Sequence, residues 1–95
     1  MIFNIEPKYL KLIQAGTKKI EFRDRLYTKS PYISLRNLDT NKVETVIEVF
    51  EVIDTKDFPE DEKEEILHDA HVDTEFSEQY DCRYAYLIKN VHSVH

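Results

Sequence analysis

The hydrophobic period of the chain changes within one segment, Ile5-Glu6-Pro7-Lys8-Tyr9-Leu10-Lys11-Leu12-Ile13-Gln14-Ala15-Gly16-Thr17-Lys18-Lys19-Ile20-Glu21-Phe22-Arg23. Its first half places apolar residues on one face of a helix, which predicts a helix over residues 7–15 with Pro7 at the first position. In its second half Ile20 and Phe22 alternate with charged residues, which predicts a half-buried strand. Gly16 is the only glycine of the chain and stands where the period changes. We therefore expect Gly16 to end the helix with a positive φ.

Apolar, β-branched runs outside this segment predict the remaining strands, at residues 2–5, 32–36, 43–53 and 83–94. Pro59 and the acidic residues after it predict the start of a helix that packs weakly, through Ile66, Leu67 and Ala70. Asp73 is expected to cap a further short helix that carries Phe76 and Tyr80. The predicted fold class is α+β, in which a curved sheet forms a closed or nearly closed barrel of five or six strands.

The length and composition indicate one small domain over residues 1–95. With 41% apolar and 34% charged residues, the chain is neither a disordered tail nor a membrane protein. The first residues resemble no secretion signal, so we expect a cytoplasmic protein. Cys82 is the only cysteine, which excludes an intrachain disulfide and a cysteine-rich zinc cluster.

Charge is distributed unevenly along the chain. The net charge is −6, but residues 1–42 carry nine lysines and arginines against four acidic residues. Residues 43–95 carry four against fifteen. The first part can therefore form an electropositive surface on a protein that is acidic overall. The alternative is that these lysines are ordinary surface residues and that the second part forms a solvated acidic helix.

The spacing Gly16-x-Lys18-x-x-Glu21-x-Arg23, after a helix that opens with Pro7-x-Tyr9, resembles the signature of the ASCH family (activating-signal-cointegrator homology) of the PUA-like superfamily. Tyr80 and the run 83–91 are similar to the last strand of these proteins. The resemblance implies a small PUA-like β-barrel of five or six mostly antiparallel strands with two or three short helices. It also implies RNA binding in a cleft between the barrel and the helix before the signature. One branch with a similar fold hydrolyses acetylated cytidine.

The signature residues also suggest a binding site by their own chemistry. On a strand Glu21 and Arg23 point to one face, about 7 Å apart, while Ile20 and Phe22 point to the other. Arginine and lysine bind phosphates, arginine stacks on bases, and glutamate accepts hydrogen bonds from an exocyclic amine. We take Lys18, Glu21 and Arg23, with their neighbours Lys19 and Arg25, as candidate ligand-binding residues. The alternative is that Glu21 forms a structural ion pair with Arg23 or Lys18.

Other residues give weaker indications. His68 and His71 with Asp73 are more typical of a solvated helix than of a metal site, so neither a metal nor another cofactor is expected. Cys82 is expected to be buried or partly buried and has no identifiable catalytic partner. Four tyrosines are candidates for stacking on bases, namely Tyr27, Tyr32, Tyr84 and Tyr86. Of these, Tyr84 and Tyr86 share a strand face and are more typical of a barrel lining.

The sequence leaves three functions open. The first is a module that binds RNA or a modified nucleotide in a basic cleft at the barrel mouth. The second is a small hydrolase acting on a nucleoside or RNA, with Lys18 and Glu21 as acid and base. The branch that cleaves acetylcytidine resembles a pattern with a threonine nucleophile where this chain has Glu21, so that mechanism does not transfer. The third is a protein-interaction domain that docks partners on its acidic second half.

Overall fold

The computed structural model describes residues 1–26, 30–71 and 82–94. Its elements follow one another as β1 (Ile2–Ile5), α1 (Pro7–Gln14), β2 (Ile20–Arg23), β3 (Tyr32–Asn37), β4 (Lys42–Asp54), α2 (Glu60–Asp69) and β5 (Tyr84–Ser93). Each of these was predicted from the sequence. The strands and α1 agree with their predicted bounds to within a residue, and α2 begins directly after Pro59, where its start was predicted. The helix predicted after Asp73 lies outside the described residues.

The five strands form one curled sheet in the order β1-β3-β4-β5-β2. The ladders β3–β4, β4–β5 and β2–β5 are antiparallel, and β1–β3 is parallel. The predicted α+β class with mostly antiparallel strands is therefore confirmed, in the form of a half-barrel. Full closure is not observed, because no ladder in the described part of the chain joins the edge strands β1 and β2. Each edge strand has only four residues, and side chains join the two edges instead.

Helix α1 ends in the way that the single glycine predicts. Gly16 has φ of 78°, and its N–H donates to Ile13 O at 3.0 Å. The N–H groups of Thr17 and Lys18 both donate to Leu12 O at 3.0 Å. The first two of these contacts form a Schellman motif, which satisfies carbonyls at the end of the helix. The chain thereby reverses and enters β2 with a fixed orientation.

The apolar core is divided between the two faces of the sheet. The larger cluster lies between α1 and one face, and includes Phe3, Ile5, Tyr9, Leu10, Ile13, Ile33, Leu35, Ile47, Val49, Tyr86 and Ile88. The smaller cluster lies on the other face, at the end of α2, and comprises Phe22, Ala70, Cys82 and Ala85, against which Ile66 and Leu67 pack. Helix α2 has no buried residue within its own span, so the expectation of weak packing is confirmed. None of the described helices is long and apolar enough to cross a membrane.

Candidate functional site

Strand β2 presents Glu21 and Arg23 on the face that α1 covers. In the ladder with β5, Glu21 lies opposite Tyr86 and Arg23 lies opposite Tyr84. Directly opposed residues share a face, and Tyr86 belongs to the core cluster beneath α1. Phe22 belongs to the cluster on the other face. The alternation predicted from the sequence is therefore the one observed.

Glu21 is a buried carboxylate whose two oxygens have different environments. The side chain is 7% exposed, and its Oε1 accepts a hydrogen bond from Phe22 N–H at 3.0 Å. In the ladder between β2 and β5, Ile88 N–H donates to Lys19 O. The backbone groups of successive residues in a strand point to alternate sides, so the N–H of Phe22 points away from β5, toward the open edge of the sheet. Oε1 therefore satisfies a backbone donor that has no strand beside it. Oε2 is buried and has no hydrogen-bond partner among the described residues.

Arg23 crosses the gap between the two edge strands. Its Nη2 donates to Asn4 O on β1 at 2.8 Å, and its guanidinium carbon lies 4.3 Å from the centroid of the Phe3 ring. Its Nε is buried, and no residue in the described part of the chain forms a hydrogen bond with it. The same residues and the chain before them line a small cavity of about 170 Å³. We call this gap, bordered by Phe3, Asn4, Glu21 and Arg23, the seam.

Lys18 lies behind the seam and is almost completely buried, with 2% of its surface exposed. Its Nζ donates to Ala70 O at 2.7 Å and lies 5.5 Å from the centroid of the Tyr9 ring. Ala70 caps the end of α2, so the ammonium satisfies a free terminal carbonyl and faces the negative end of the helix dipole. Burial lowers the pKa of Lys18 below its ordinary value of 10.5, and the nearby Glu21 carboxylate opposes that shift.

The structure brings Lys18, Glu21 and Arg23 together without pairing their charges. All the ion pairs found within 4.0 Å among the described residues involve other side chains. Electrostatic influence on the pKa of Lys18 nevertheless comes from both Glu21 and Arg23. The structural ion pair that the sequence left open as an alternative is therefore not formed. What the three residues make is a charged cluster with unused hydrogen-bonding capacity.

The other predicted site residues lie around the seam or away from it. Lys19 is exposed immediately before β2. Arg25 is exposed beyond the end of β2, with its Nε 4.0 Å from the Asp24 carboxylate. Tyr86 is fully buried and has no surface for stacking, Tyr84 is half-buried, and Tyr32 is exposed. Tyr27 lies outside the described residues.

Of the weaker candidates, His68, His71 and Cys82 lie within the described residues, whereas Asp73 lies outside them. No group of three or more histidine, cysteine, aspartate or glutamate side chains among the described residues is placed to hold a metal ion. His71 has φ of 58° after the end of α2, so its backbone takes the left-handed role that Gly16 has after α1. Cys82 is buried beside Phe22 and Ala85, as the sequence predicts for a small core residue.

Three contributors to the cluster carry no sequence signal. Asn4 and Ala70 act through backbone carbonyls, which every residue possesses. Phe3 contacts Arg23 across a gap between strands that are not adjacent in the sheet. The alternation in β2 does indicate which of its residues face the seam, but nothing in the sequence indicates that β1 lies opposite.

Comparison with solved structures identifies the fold. The crystal structure of ASCH from Zymomonas mobilis superposes with a TM-score of 0.76 and 16% identity, over 97% of this chain and 68% of that chain. The structures of two of its single-residue mutants give TM-scores of 0.76 and 0.74, with 16% and 15% identity. These two alignments cover 97% and 99% of this chain, and 68% and 71% of the other. No protein-family model and no curated protein sequence matches the chain.

Proposed function

We propose that this chain, which has the ASCH fold, is a module that binds single-stranded RNA or a nucleotide at the seam. One observation carries the proposal. Glu21 Oε2 and Arg23 Nε are both buried without a hydrogen-bond partner, and one is an acceptor while the other is a donor. A buried polar atom without a partner costs about 1–3 kcal/mol, so such atoms are uncommon in folded proteins. A ligand that supplies the complementary atoms recovers that free energy.

The edge of a nucleobase has the required chemistry. An exocyclic amine donates to Glu21 Oε2, and a ring nitrogen or carbonyl oxygen accepts from Arg23 Nε. Arg23 lines the cavity of about 170 Å³, which is smaller than sites that enclose a whole ligand. Glu21 is not part of this lining and both atoms are buried, so binding in this proposal requires the gap between β1 and β2 to widen. The exposed cations Lys19 and Arg25 are near enough in sequence to provide phosphate contacts.

Lys18 has a positioning role in this proposal. Its ammonium already donates to Ala70 O, and 2% exposure leaves little room for direct ligand contact. The Lys18 ammonium and the Glu21 carboxylate attract each other electrostatically, which helps to hold the Glu21 side chain in place at the seam. Lys18 therefore acts on the ligand through Glu21.

A hydrolase is the second candidate, and the pKa of Lys18 is the observation that favours it. A lysine with a lowered pKa next to a carboxylate is a recognised arrangement for acid–base catalysis. The position three residues after Lys18 carries Glu21, so no hydroxyl nucleophile follows the lysine there. Incubation of the protein with RNA oligonucleotides and with acylated cytidine, followed by chromatography, separates the two candidates. Turnover that is lost in Lys18→Met supports the enzyme.

The binding proposal is tested by fluorescence anisotropy with labelled single-stranded RNA of five nucleotides. We expect the affinity for RNA to fall by about tenfold or more between 25 and 200 mM salt. Glu21→Gln places an amide donor where the ligand amine is expected, and we expect about tenfold weaker binding. The matched control is Glu65→Gln, which makes the same charge change on the exposed side of α2.

Two results would contradict the proposal. One is an absence of RNA and nucleotide binding even at 25 mM salt. The other is equal weakening by Glu21→Gln and Glu65→Gln, which would assign any effect to overall charge. Both variants should keep the melting temperature of the parent, so that a difference in RNA affinity does not reflect unfolding.

A further inference from the structure

A row of side chains crosses the sheet from the seam to strand β4. In the ladder of β2 with β5, Arg23 lies opposite Tyr84, and in the ladder of β5 with β4, Tyr84 lies opposite Asp54. Directly opposed residues share a face of the sheet, and Tyr84 packs against the larger core cluster. Neighbouring strands are about 4.8 Å apart, so the row spans about 10 Å from β2 to β4. The seam is therefore continuous with the surface beyond Tyr84.

Beyond Tyr84 the row borders a cleft along the second half of β4. The lining includes Tyr84, Asp54 and Val52 from the sheet, and the volume is about 600 Å³, within the range of sites that enclose small ligands. Val52 lies opposite Tyr86, so it belongs to the same face as the row. We call this space the β4 cleft. It is large enough for a flat ring, which the small cavity at the seam is not.

A β-bulge adds a second aromatic side chain to the β4 cleft. Between Val49 and Glu51 the register of β4 against β5 shifts, so Phe50 has no partner residue on β5. Phe50 is 61% exposed and is part of the cleft lining. Bulges re-aim side chains and are frequent next to binding sites. The cleft therefore offers two aromatic side chains, those of Tyr84 and Phe50, to a ligand with a flat ring.

The Tyr84 ring is held in place by an arginine. The guanidinium carbon of Arg83 lies 4.9 Å from the centroid of the ring. The Nε and Nη2 of the same guanidinium donate to the two carboxylate oxygens of Asp54 at 3.0 and 2.9 Å. A ring that is already fixed loses little side-chain freedom when a ligand stacks on it. Because the charges of Arg83 and Asp54 offset each other, this part of the cleft suits an uncharged ring better than a phosphate group.

An exposed arginine lies in the sequence between the seam and the β4 cleft. Arg25 is exposed and stands between Arg23, which lines the seam cavity, and Leu26, which lines the cleft. Its Nε is 4.0 Å from the carboxylate of Asp24, and both side chains are largely exposed, so this ion pair contributes little. A phosphate that joins a ring at the seam to a ring in the cleft therefore passes near a guanidinium.

We propose that the β4 cleft is the subsite for a second nucleotide of single-stranded RNA, whose base stacks on Tyr84 while the base of the neighbouring nucleotide is bound at the seam. This inference rests on the proposed function, because the seam holds the first nucleotide. Every base has a flat face that stacks on an aromatic ring, so the cleft adds affinity and little sequence preference. The shortest ligand that fills both positions is a dinucleotide.

The experiment compares a one-base probe with a two-base probe by titration of the ¹⁵N-labelled protein, followed through its amide resonances. The first probe is adenosine 5′-monophosphate, and the second is ApA, in which one phosphate joins two adenosines. We expect ApA to bind about tenfold more tightly or better, because a second base is stacked. Both probes should shift the resonances of Glu21 and Arg23, and ApA alone should shift those of Phe50 and Val52.

Three variants separate stacking from other effects. Tyr84→Leu removes the ring and keeps an apolar side chain, so it should lower the affinity for ApA about tenfold and leave that for adenosine 5′-monophosphate unchanged. Tyr84→Phe keeps the ring and should bind ApA as the parent does. The matched control is Tyr32→Leu, the same change at an exposed tyrosine of β3, which should leave both affinities unchanged.

Equal affinity for the two probes overturns the inference, and so does an effect of Tyr84→Leu no larger than that of Tyr32→Leu. Weakening of both probes by Tyr84→Leu overturns it as well, because Tyr84 would then act on the seam. If Tyr84→Leu does not fold, the parent decides, since unshifted resonances of Phe50 and Val52 with ApA contradict the second subsite.

The failure of this inference differs from the failure of the proposed function. Adenosine 5′-monophosphate that binds and is weakened by Glu21→Gln, without a gain for ApA, leaves the proposed function standing and overturns the second subsite alone. An absence of binding by either probe overturns both.

Discussion

The ammonium of Lys18 lies 2.7 Å from the carbonyl oxygen of Ala70, which joins the segment before β2 to the end of α2, 52 residues later. Helix α2 has no buried residue within its span and packs through Ile66 and Leu67, with Ala70 just beyond its end. The buried, charge-assisted hydrogen bond from Lys18 is therefore one of the contacts that hold this helix against the sheet, beside the packing of Ile66, Leu67 and Ala70. The position of α2 and the electrostatics of the seam depend on the same side chain.

Replacement of Lys18 by methionine keeps the length of the side chain and removes its charge. We expect Lys18→Met to lower the free energy of unfolding at pH 7 by about 1–3 kcal/mol, because Ala70 O loses its donor in a buried position. The helical circular dichroism signal should decrease as α2 loosens. A variant as stable as the parent, with unchanged helicity, would show that the Lys18–Ala70 contact does not hold α2.

The pKa of Lys18 makes the stability of the parent depend on pH at the alkaline end. Its folded pKa is lower than the unfolded value near 10.5, so between these two values the unfolded state binds more protons. The contribution of Lys18 to the free energy of unfolding therefore rises as pH increases through this window. Urea unfolding at intervals from pH 7 to 10.5 should show a stability difference between parent and Lys18→Met that grows with pH. A constant difference would mean that the pKa is not lowered.

Gly16 is expected to be needed for its backbone alone. Its φ is 78°, and a Cβ built at this position meets no atom within 4 Å. Gly16→Ala should therefore lower the free energy of unfolding by about 1–2 kcal/mol through the cost of the left-handed conformation, without a steric clash. Gly16→Asn should cost less, because asparagine tolerates this conformation better. Thermal unfolding of both variants measures the order, and equal losses would point to another cause.

Local pattern predicts the elements well and their assembly poorly. The change of period at Gly16 and the alternation around Phe22 depend on neighbouring residues, and both predictions hold. The parallel pairing of β1 with β3 and the position of β2 beside β5 join residues far apart in sequence. No periodicity within a strand indicates which strand lies next to it. The prediction of a closed or nearly closed barrel accordingly left open where the sheet ends, and the structure places that end at the seam between β1 and β2.

The candidate site was likewise predictable only where it depends on residues that are neighbours in the sequence. Strand parity alone places Glu21 and Arg23 on one face, and the structure agrees. The burial of Lys18 was not predictable, because it depends on where α2 ends. The bulge that exposes Phe50 was not predictable either, since it appears only as a mismatch of register between β4 and β5.

Arg23 is expected to contribute to both stability and binding. The sequence predicts a larger role in binding, and the structure adds two contacts that stabilise the fold, to Asn4 O and to the Phe3 ring. Arg23→Ala should lower the free energy of unfolding by about 1–2 kcal/mol. Arg23→Lys keeps the charge but loses the planar stacking and the Nε donor, so it should regain part of the stability and little of the RNA affinity. Equal recovery of both would show that only charge matters there.

The ion pair between Asp54 and Arg83 makes the stability of the protein depend on pH in the acidic range. The hydrogen bonds from Arg83 hold the pKa of Asp54 at about 2, below its ordinary value of 3.8. Because the folded pKa is the lower one, the stabilisation is complete above pH 3.8 and is lost as pH falls toward 2. Asp54→Asn should lower the melting temperature at pH 7 and flatten the decrease between pH 4 and 2. The double variant Asp54→Asn with Arg83→Gln should lose less stability than the sum of the two single losses, because each single change already breaks the pair. Additive losses would mean that the pair is not coupled.

The pairing of β2 sets an order of events during synthesis. In the sheet, β2 has one neighbour, β5, and its first residue, Ile20, lies opposite Leu87. A nascent chain that has not yet released residues 84–93 from the ribosome therefore has no strand against which β2 can pair. Because β2 pairs with β5, Glu21 and Arg23 can take up their positions on the sheet only after β5 has emerged. Until then residues 20–23 have no strand to pair with, and a polypeptide that is interrupted before β5 cannot form the seam.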